Sequence, residues 1–346
     1  MKISFKNDYS EGCHPQILTA LTASNLVQQD GYGGDQYSQN AASIILQKLK
    51  APQSKVHFVS GGTQANLVII SAFLRPHESV IAATTGHIFD NETGAIEATG
   101  HKVNEAQAVD GKLTPETVQQ VLDAHPVKPH QLKQKMVYIS NSTEIGTVYC
   151  RDEIIALSMF CRANNLYLFM DGARLGHALM SEQNDLTLAD IAQYTDAFYI
   201  GGTKNGALIG EAIVINNIAL QEDFEYHLKQ KGAMLSKGRL LGIQFETLFQ
   251  DDLYFQLAEH ANQQAMKIKQ VFELTKCDWW ANTNTNQIFP ILENSKIALL
   301  AAAFDFYVWR KIDDNYSAIR LITSWATTEE SVDLFIKEVK KVYHLQ

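Results

Sequence analysis

The 346-residue sequence predicts an α/β protein: a mainly parallel sheet with helices on both faces, followed by a smaller α+β C-terminal domain. Three observations carry that expectation. From Val56 to Ile215, short strand-like runs alternate with helix-like segments, the pattern of βαβ units around a parallel sheet. Leu166-Tyr167-Leu168-Phe169-Met170 is almost continuously apolar, as a strand covered on both faces must be. Beyond about Gln250 the alternation weakens. The expected organisation is an N-terminal segment over residues 1–38, a large domain over 39–250 and a small domain over 251–346.

Each element has a local reason. Pro15 to Leu26 is expected to be helical, because Ile17, Leu18 and Leu21 share a face. The loop Asp30-Gly31-Tyr32-Gly33-Gly34-Asp35 follows, either a turn capping the next helix or a functional loop. Ser38 to Lys50 has Ala42, Ile45, Leu46 and Leu49 on one apolar face. The strand Val56–Val59 then runs into Ser60-Gly61-Gly62-Thr63 and a helix from Gln64 to Leu74. Free N–H groups at a helix start, the helix dipole and a hydroxyl together favour a phosphate. The turn lacks the Lys-Ser/Thr of a Walker loop and is not GxGxxG.

Ser79–Ala83 is the next strand, and His87 falls just past its carboxyl end, where open α/β sheets bind ligands. Glu92 is placed on a helix starting near Asn91, and a variable segment runs from Lys102-Val103 to Gln134. The strand Met136–Ile139 ends in the polar patch Ser140-Asn141-Ser142-Thr143-Glu144. After a helix from Arg151 to Asn164, the apolar strand at Leu166–Met170 stops at Asp171-Gly172-Ala173-Arg174. An aspartate ending a buried strand is costly unless a cation or strong donor meets it. That partner is either Arg174, in a structural ion pair, or a protonated ring nitrogen.

A helix ending at Ile191–Tyr194 leads to the strand Ala197–Ile200 and then Gly201-Gly202-Thr203-Lys204. The glycines leave open space around the amine. Such a place suits an amine that must reach a carbonyl better than a charge buried for stability. Glu211–Ile215 is expected to turn back antiparallel, and Leu220 to Gln264 to be helical. Lys229, Lys231, Lys237 and Arg239 in that stretch form a solvated face or a subunit contact supplying positive charge. A long helix to Leu274, the strand Gln287–Leu292, the helix Ser295–Phe304, the strand Ala318–Leu321 and the helix Glu329–Tyr343 complete the small domain. Arg320 points opposite to Ile319 and Leu321. It is either an exposed edge residue or a fork for a carboxylate.

Composition narrows the function classes. The chain is 46% hydrophobic and 19% charged, ordinary for a globular protein. A net charge of −9 argues against nucleic acid or an anionic membrane as the main partner. Cys13, Cys150, Cys161 and Cys277 show no CxxC spacing and read as reduced thiols of a cytoplasmic protein. Met1 to His14 has no apolar h-region, so no secretory signal is expected. The longest apolar run, Ile297 to Phe304, is too short to span a bilayer. No metal site is expected.

One helix and one strand separate Asp171 from Lys204, so both are expected at the same edge of the sheet. The Gly61–Thr63 turn, His87 and the Ser140–Thr143 loop belong to that edge too. A phosphate cradle, a carboxylate, a lysine and a histidine facing one crevice are what a pyridoxal phosphate enzyme needs.

These residues sit in recognisable motifs. The sequence resembles the threonine aldolase and β-eliminating lyase branch of the fold-type-I pyridoxal phosphate enzymes, over most of its length. The matching runs are Asp30-x-Tyr32-Gly33-x-Asp35, Gly62-Thr63-x-x-Asn66-Leu67, His87-Ile88-x-x-x-Glu92-x-Gly94, Asp171-Gly172-Ala173-Arg174-Leu175 and Ile319-Arg320-Leu321-Ile322-Thr323. The resemblance implies retro-aldol cleavage of a β-hydroxy-α-amino acid such as threonine or allo-threonine to glycine and an aldehyde. It makes Lys204 the Schiff-base lysine and Asp171 the partner of the ring nitrogen. Gly62 and Thr63 become phosphate ligands, and His87 the stacking ring and the base for the β-hydroxyl, directly or through a water. Arg174 and Arg320 would hold the α-carboxylate, with Tyr32 also near the substrate. A homodimer or homotetramer with the site between subunits is implied.

Three positions depart from the pattern. Thr143 stands where the family has a histidine near the substrate hydroxyl, Asn7 replaces a serine before Asp8, and Thr203 precedes the lysine in place of serine. These changes touch the groups that read the substrate, Asn7 and Thr143 among them. They leave β-elimination from another amino acid, or a non-catalytic protein of the same fold, as alternatives.

Overall fold

The strand that ends at Asp171 lies at the centre of a seven-stranded sheet in the computed structural model, which describes residues 2–345. In chain order the strands are Ile3–Ser4 (β1), Lys55–Val59 (β2), Glu78–Ala83 (β3), Val103–Ala106 (β4), Lys133–Ser140 (β5), Tyr167–Asp171 (β6) and Ala197–Gly201 (β7). Glu211–Ile215 (β8), Trp279–Ala281 (β9), Gln287–Glu293 (β10), Phe304–Asp305 (β11), Tyr307–Lys311 (β12) and Tyr316–Ile322 (β13) follow. The large sheet runs β2-β8-β7-β6-β5-β3-β4. Only β8 is antiparallel to its neighbours, β2 and β7, as its position directly after the lysine turn leads one to expect.

Successive side chains of a strand face opposite sides, and β6 shows why it is apolar throughout. Leu168 and Met170 enter a core with Ile45, Ile154 and Phe245. Phe169 enters the core on the other face with Val68, Ile69 and Phe224. Helices therefore cover both faces. Because every connection between parallel strands returns over a face, the carboxyl ends of β2, β3, β5, β6 and β7 share one edge.

The C-terminal part carries a four-stranded antiparallel sheet, β12-β13-β10-β9. Its core joins Ile268 and Phe272 of the helix Leu253–Thr275 to Phe335 and Val339 of Glu329–Val342. Phe5 packs in that same core, and β1 pairs in parallel with β11. The first residues of the chain are thus bound to its last third.

The structure corrects several expectations. No helix starts near Asn91: one turn, His87–Asp90, precedes it, and Glu92 follows in irregular backbone with a buried side chain. The segment read as variable contains β4 and the helix Pro115–Asp123, whose start is fixed by a capping box between Thr114 and Thr117. Residues 220–264 are not one helical stretch but parts of three helices, Phe224–Gln230, Arg239–Gln250 and Leu253–Thr275. No helix among the described residues is long and apolar enough to cross a membrane.

Candidate active site

Two glycines allow β6 and β7 to deliver Asp171 and Lys204 side by side. A Cβ on Gly172 would lie 1.8 Å from the Tyr199 carbonyl oxygen, and one on Gly201 would lie 2.4 Å from that of Ala173. Only glycine permits this backbone approach. The two strand ends open onto a cavity of about 500 Å³.

Asp171 is buried but met by donors. Tyr138 Oη donates to Oδ2 at 2.5 Å, Asn66 Nδ2 donates to Oδ2 at 3.3 Å, and the Ala173 amide donates to Oδ1 at 2.9 Å. The same Asn66 amide donates to Glu92 Oε1 at 2.9 Å, and that oxygen lies 3.0 Å from His87 Nδ1. A hydrogen-bonded chain therefore links Asp171 to His87 through Asn66 and Glu92.

The ion pair that sequence offered as one explanation of Asp171 does not form. Arg174 turns instead to Asp8, with Nε–Oδ2 at 2.7 Å and Nη2–Oδ1 at 3.0 Å. Burial pushes the Asp8 carboxyl up, but Arg174 and Lys204 outweigh it and hold the group well below the usual carboxylate range. Asn286 Nδ2 adds a third donor at 3.0 Å.

Lys204 faces the cavity with no hydrogen bond or ion pair among the described residues. Burial, then Arg174, pulls its pKa down, against the pull of Asp8, Asp171 and Glu211. Glu211 lines the cavity beside it, accepting from the Gly202 amide at 2.9 Å, and burial pushes its carboxyl up.

Across the mouth, Arg320 packs its guanidinium 4.7 Å from the Trp309 ring centre and 5.2 Å from that of Tyr307. Its Nε is buried without a partner. Trp309 sits at a register shift of β12, between Val308 and Arg310, the kind of bulge that re-aims a side chain towards a site.

The cavity thus brings together Gly62, Thr63, His87, Asp171, Arg174, Lys204 and Arg320. It does not include Asn7, Tyr32 or Thr143. Asn7 Oδ1 accepts from the Tyr9 amide and Ser10. Tyr32 lies at a separate cavity, under Lys229 Nζ at 4.3 Å. Thr143 is buried against Thr147. Sequence reasoning missed Tyr138, Trp309 and Glu211. Only Glu211 carried a local signal, a carboxylate opening an otherwise apolar strand.

The protein atoms fit a phosphate-bearing carbonyl cofactor. The helix Gly62–Phe73 starts at the cavity, and its first amides have no intrahelical acceptor. Nothing fills the space above Gly61. Lys204 offers an unpaired amine, and Asp171 a carboxylate already oriented by three donors.

Comparison with known proteins identifies the family. A family model described as beta-eliminating lyase matches residues 9–295. A low specificity L-threonine aldolase of Pseudomonas aeruginosa is 32% identical over 98% of this chain and 97% of its own. The solved structure of Leishmania major threonine aldolase superposes with a TM-score of 0.97 at 47% identity, covering 99% of both chains. A Thermus thermophilus aspartate aminotransferase reaches a TM-score of 0.72 at 13% identity, covering 99% of this chain and 91% of its own, which speaks to the fold alone. With a matched family model over most of its length and full-length relatives above 30% identity, the chain belongs to the beta-eliminating lyase family, on the threonine aldolase branch.

Proposed function

We propose that the protein is a pyridoxal phosphate-dependent carbon–carbon lyase that cleaves threonine, allo-threonine or a related β-hydroxy-α-amino acid to glycine and an aldehyde. The observation that carries this reading is the unpaired Lys204 amine beside a donor-fixed Asp171 in one cavity. When bound, pyridoxal phosphate supplies an electron sink conjugated to the substrate's α-carbon.

The chain's own residues do the rest. The first-turn amides at Gly62 and Thr63 bind the phosphate. Lys204, kept from its full basicity by burial, is the amine that would hold the cofactor's carbonyl carbon until a substrate amine takes its place. Asp171 keeps a proton on the ring nitrogen, since an opposite charge close by favours the protonated form. His87, fixed by Glu92, is the side chain that would stack on the ring. Arg320, with its unpartnered Nε, and Arg174 bind the α-carboxylate. That grip sets which bond at the α-carbon stands perpendicular to the ring, the alignment that bond cleavage requires.

The location inferred is cytoplasmic, and the assembly a homodimer or homotetramer. The basic stretch Lys229, Lys231, Lys237 and Arg239 is the part assigned here to a subunit contact.

The purified protein is expected to absorb in the visible with pyridoxal phosphate and to release glycine and acetaldehyde from threonine or allo-threonine. Ammonia and a 2-oxo acid from other amino acids, without glycine, would replace this reading with β-elimination.

A further inference from the structure

Thr143, the residue that stands in the place of the family's hydroxyl-reading histidine, turns away from the cavity. Its hydroxyl lies 2.6 Å from Thr147 Oγ1 and accepts from the Thr147 amide at 3.1 Å. The next residue, Glu144, lines the cavity instead. Its Oε1 is fixed from two directions: the His87 amide donates at 2.9 Å and Ser140 Oγ donates at 2.7 Å. Among the described residues no donor from another residue reaches Oε2, and no cation forms an ion pair with either oxygen. A carboxylate so placed, with no ion-pair partner, is a poor stabilising device. It is well placed to move a proton.

We infer that Glu144 is the catalytic base that takes the β-hydroxyl proton of the substrate. The inference rests on the aldol-cleavage reading above. As the O–H bond breaks, its proton passes to Glu144 Oε2 and its electron pair becomes the second bond of the aldehyde carbonyl. The Cα–Cβ bond breaks at the same time, and its pair stays on the α-carbon, drawn by the bound cofactor. A proton from solvent then completes glycine, and Glu144 returns its own proton to solvent. In the direction of synthesis the same carboxyl protonates the new hydroxyl.

The groups facing Glu144 are His87, Ser140, Asp171, Tyr138, Tyr149 and Arg174. Burial pushes its carboxyl up, with Asp171 adding to that and the donors from Ser140 and His87 opposing it. The direction is towards neutrality, where a base works best. His87 is the less suited group. Its Nδ1 is engaged with Glu92.

The test compares two reactions of the cofactor-loaded enzyme. Glu144→Gln keeps the shape and the oxygen that accepts from His87 and Ser140. Its kcat for threonine cleavage is expected to fall about 100-fold or more. Exchange of the α-hydrogen of glycine with deuterated solvent, which involves no β-hydroxyl, should stay within about threefold of wild type. The cofactor absorbance and Tm should not move. Cleavage within about threefold of wild type overturns the inference, and so does an exchange rate that falls in parallel with cleavage. If the Gln variant does not fold, Glu144→Asp retains a carboxylate, and cleavage should then fall more than exchange while the acidic limb of the kcat–pH profile persists. Loss of that limb, or equal loss of both reactions, counts against Glu144. A wild-type enzyme that exchanges glycine but cleaves no β-hydroxy amino acid overturns the aldol-cleavage reading itself, and this inference with it.

Discussion

Two shielded lysines, Lys204 and Lys269, show what separates a chemical site from a structural one. Lys269 Nζ donates to Asn282 Oδ1 at 2.8 Å, the Thr283 carbonyl at 2.9 Å and Asn284 Oδ1 at 2.7 Å. An ammonium has three donors, so this one is fully used, pinning the loop before β10 to the helix Leu253–Thr275. Lys204 has none of these partners, although Asp8, Asp171 and Glu211 are all near enough to act on its charge. An unsatisfied cation costs stability. Satisfying it is left to a ligand, and the same reasoning applies to the orphaned Nε of Arg320.

The largest effect expected from this contrast is at Lys204. Lys204→Ala should abolish the visible absorbance of the bound cofactor and lower turnover by about 10⁴-fold or more. Its denaturation midpoint, measured without cofactor, should hold or rise because a buried charge is gone. A variant that keeps both the band and turnover breaks the assignment.

Asp8→Asn attacks the one buried cation of the site that protein does satisfy. It leaves the Arg174 guanidinium buried and unpaired, and the expected loss is about 3–5 kcal/mol in chemical denaturation. A loss below about 1 kcal/mol would show that the pair is as dispensable as an exposed one.

Lys269→Met is the mirror of the first variant. It should cost about 2 kcal/mol, from charged hydrogen bonds lost and oxygens left without donors, with cofactor absorbance and KM unchanged. If KM for threonine rises instead, the two lysines are less distinct than their surroundings imply.

The same burial gives a pH signature. His177, beside Asp8, Arg174 and Lys204, has its pKa pulled down to about 4 by burial. The unfolded chain binds that proton near pH 6.5, so between about 6.5 and 4 the unfolded state holds more protons than the folded one. Stability present above pH 6.5 is therefore lost as pH falls, by about 2 kcal/mol between pH 7 and pH 5 from this residue. His57, with its pKa lowered to about 4 in the same way, adds to the slope. Denaturation curves at the two pH values should show it, and His177→Gln should flatten it.

The smallest effect is at Asp171. Asp171→Asn should keep the cofactor and lower turnover about tenfold or more, because only the charge facing the ring nitrogen is lost. Unchanged turnover would mean that the three donors around the carboxylate serve the fold alone.

The parallel sheet, the antiparallel return of Glu211–Ile215 and the edge on which His87, Asp171 and Lys204 gather are all readable from the residues alone. These follow from local rules: apolar runs of strand length, glycine turns, and the face on which successive βα units end. The glycines at 172 and 201 were legible as turns, though not as the points where two backbones nearly touch. What depended on distant partners was not legible. The choice of Asp8 over Asp171 as the partner of Arg174 joins the N-terminal segment to the turn after β6, 166 residues along the chain, and no local pattern encodes it. Glu144 was visible only as one polar residue among five, with Thr143 the more conspicuous neighbour. Which of the two reaches the cavity is set by the loop's path between Ser140 and Thr147, a tertiary decision. The unpaired state of Lys204 is likewise a property of the packed site: sequence can place an amine at a strand end, but only the surrounding structure decides whether anything meets it.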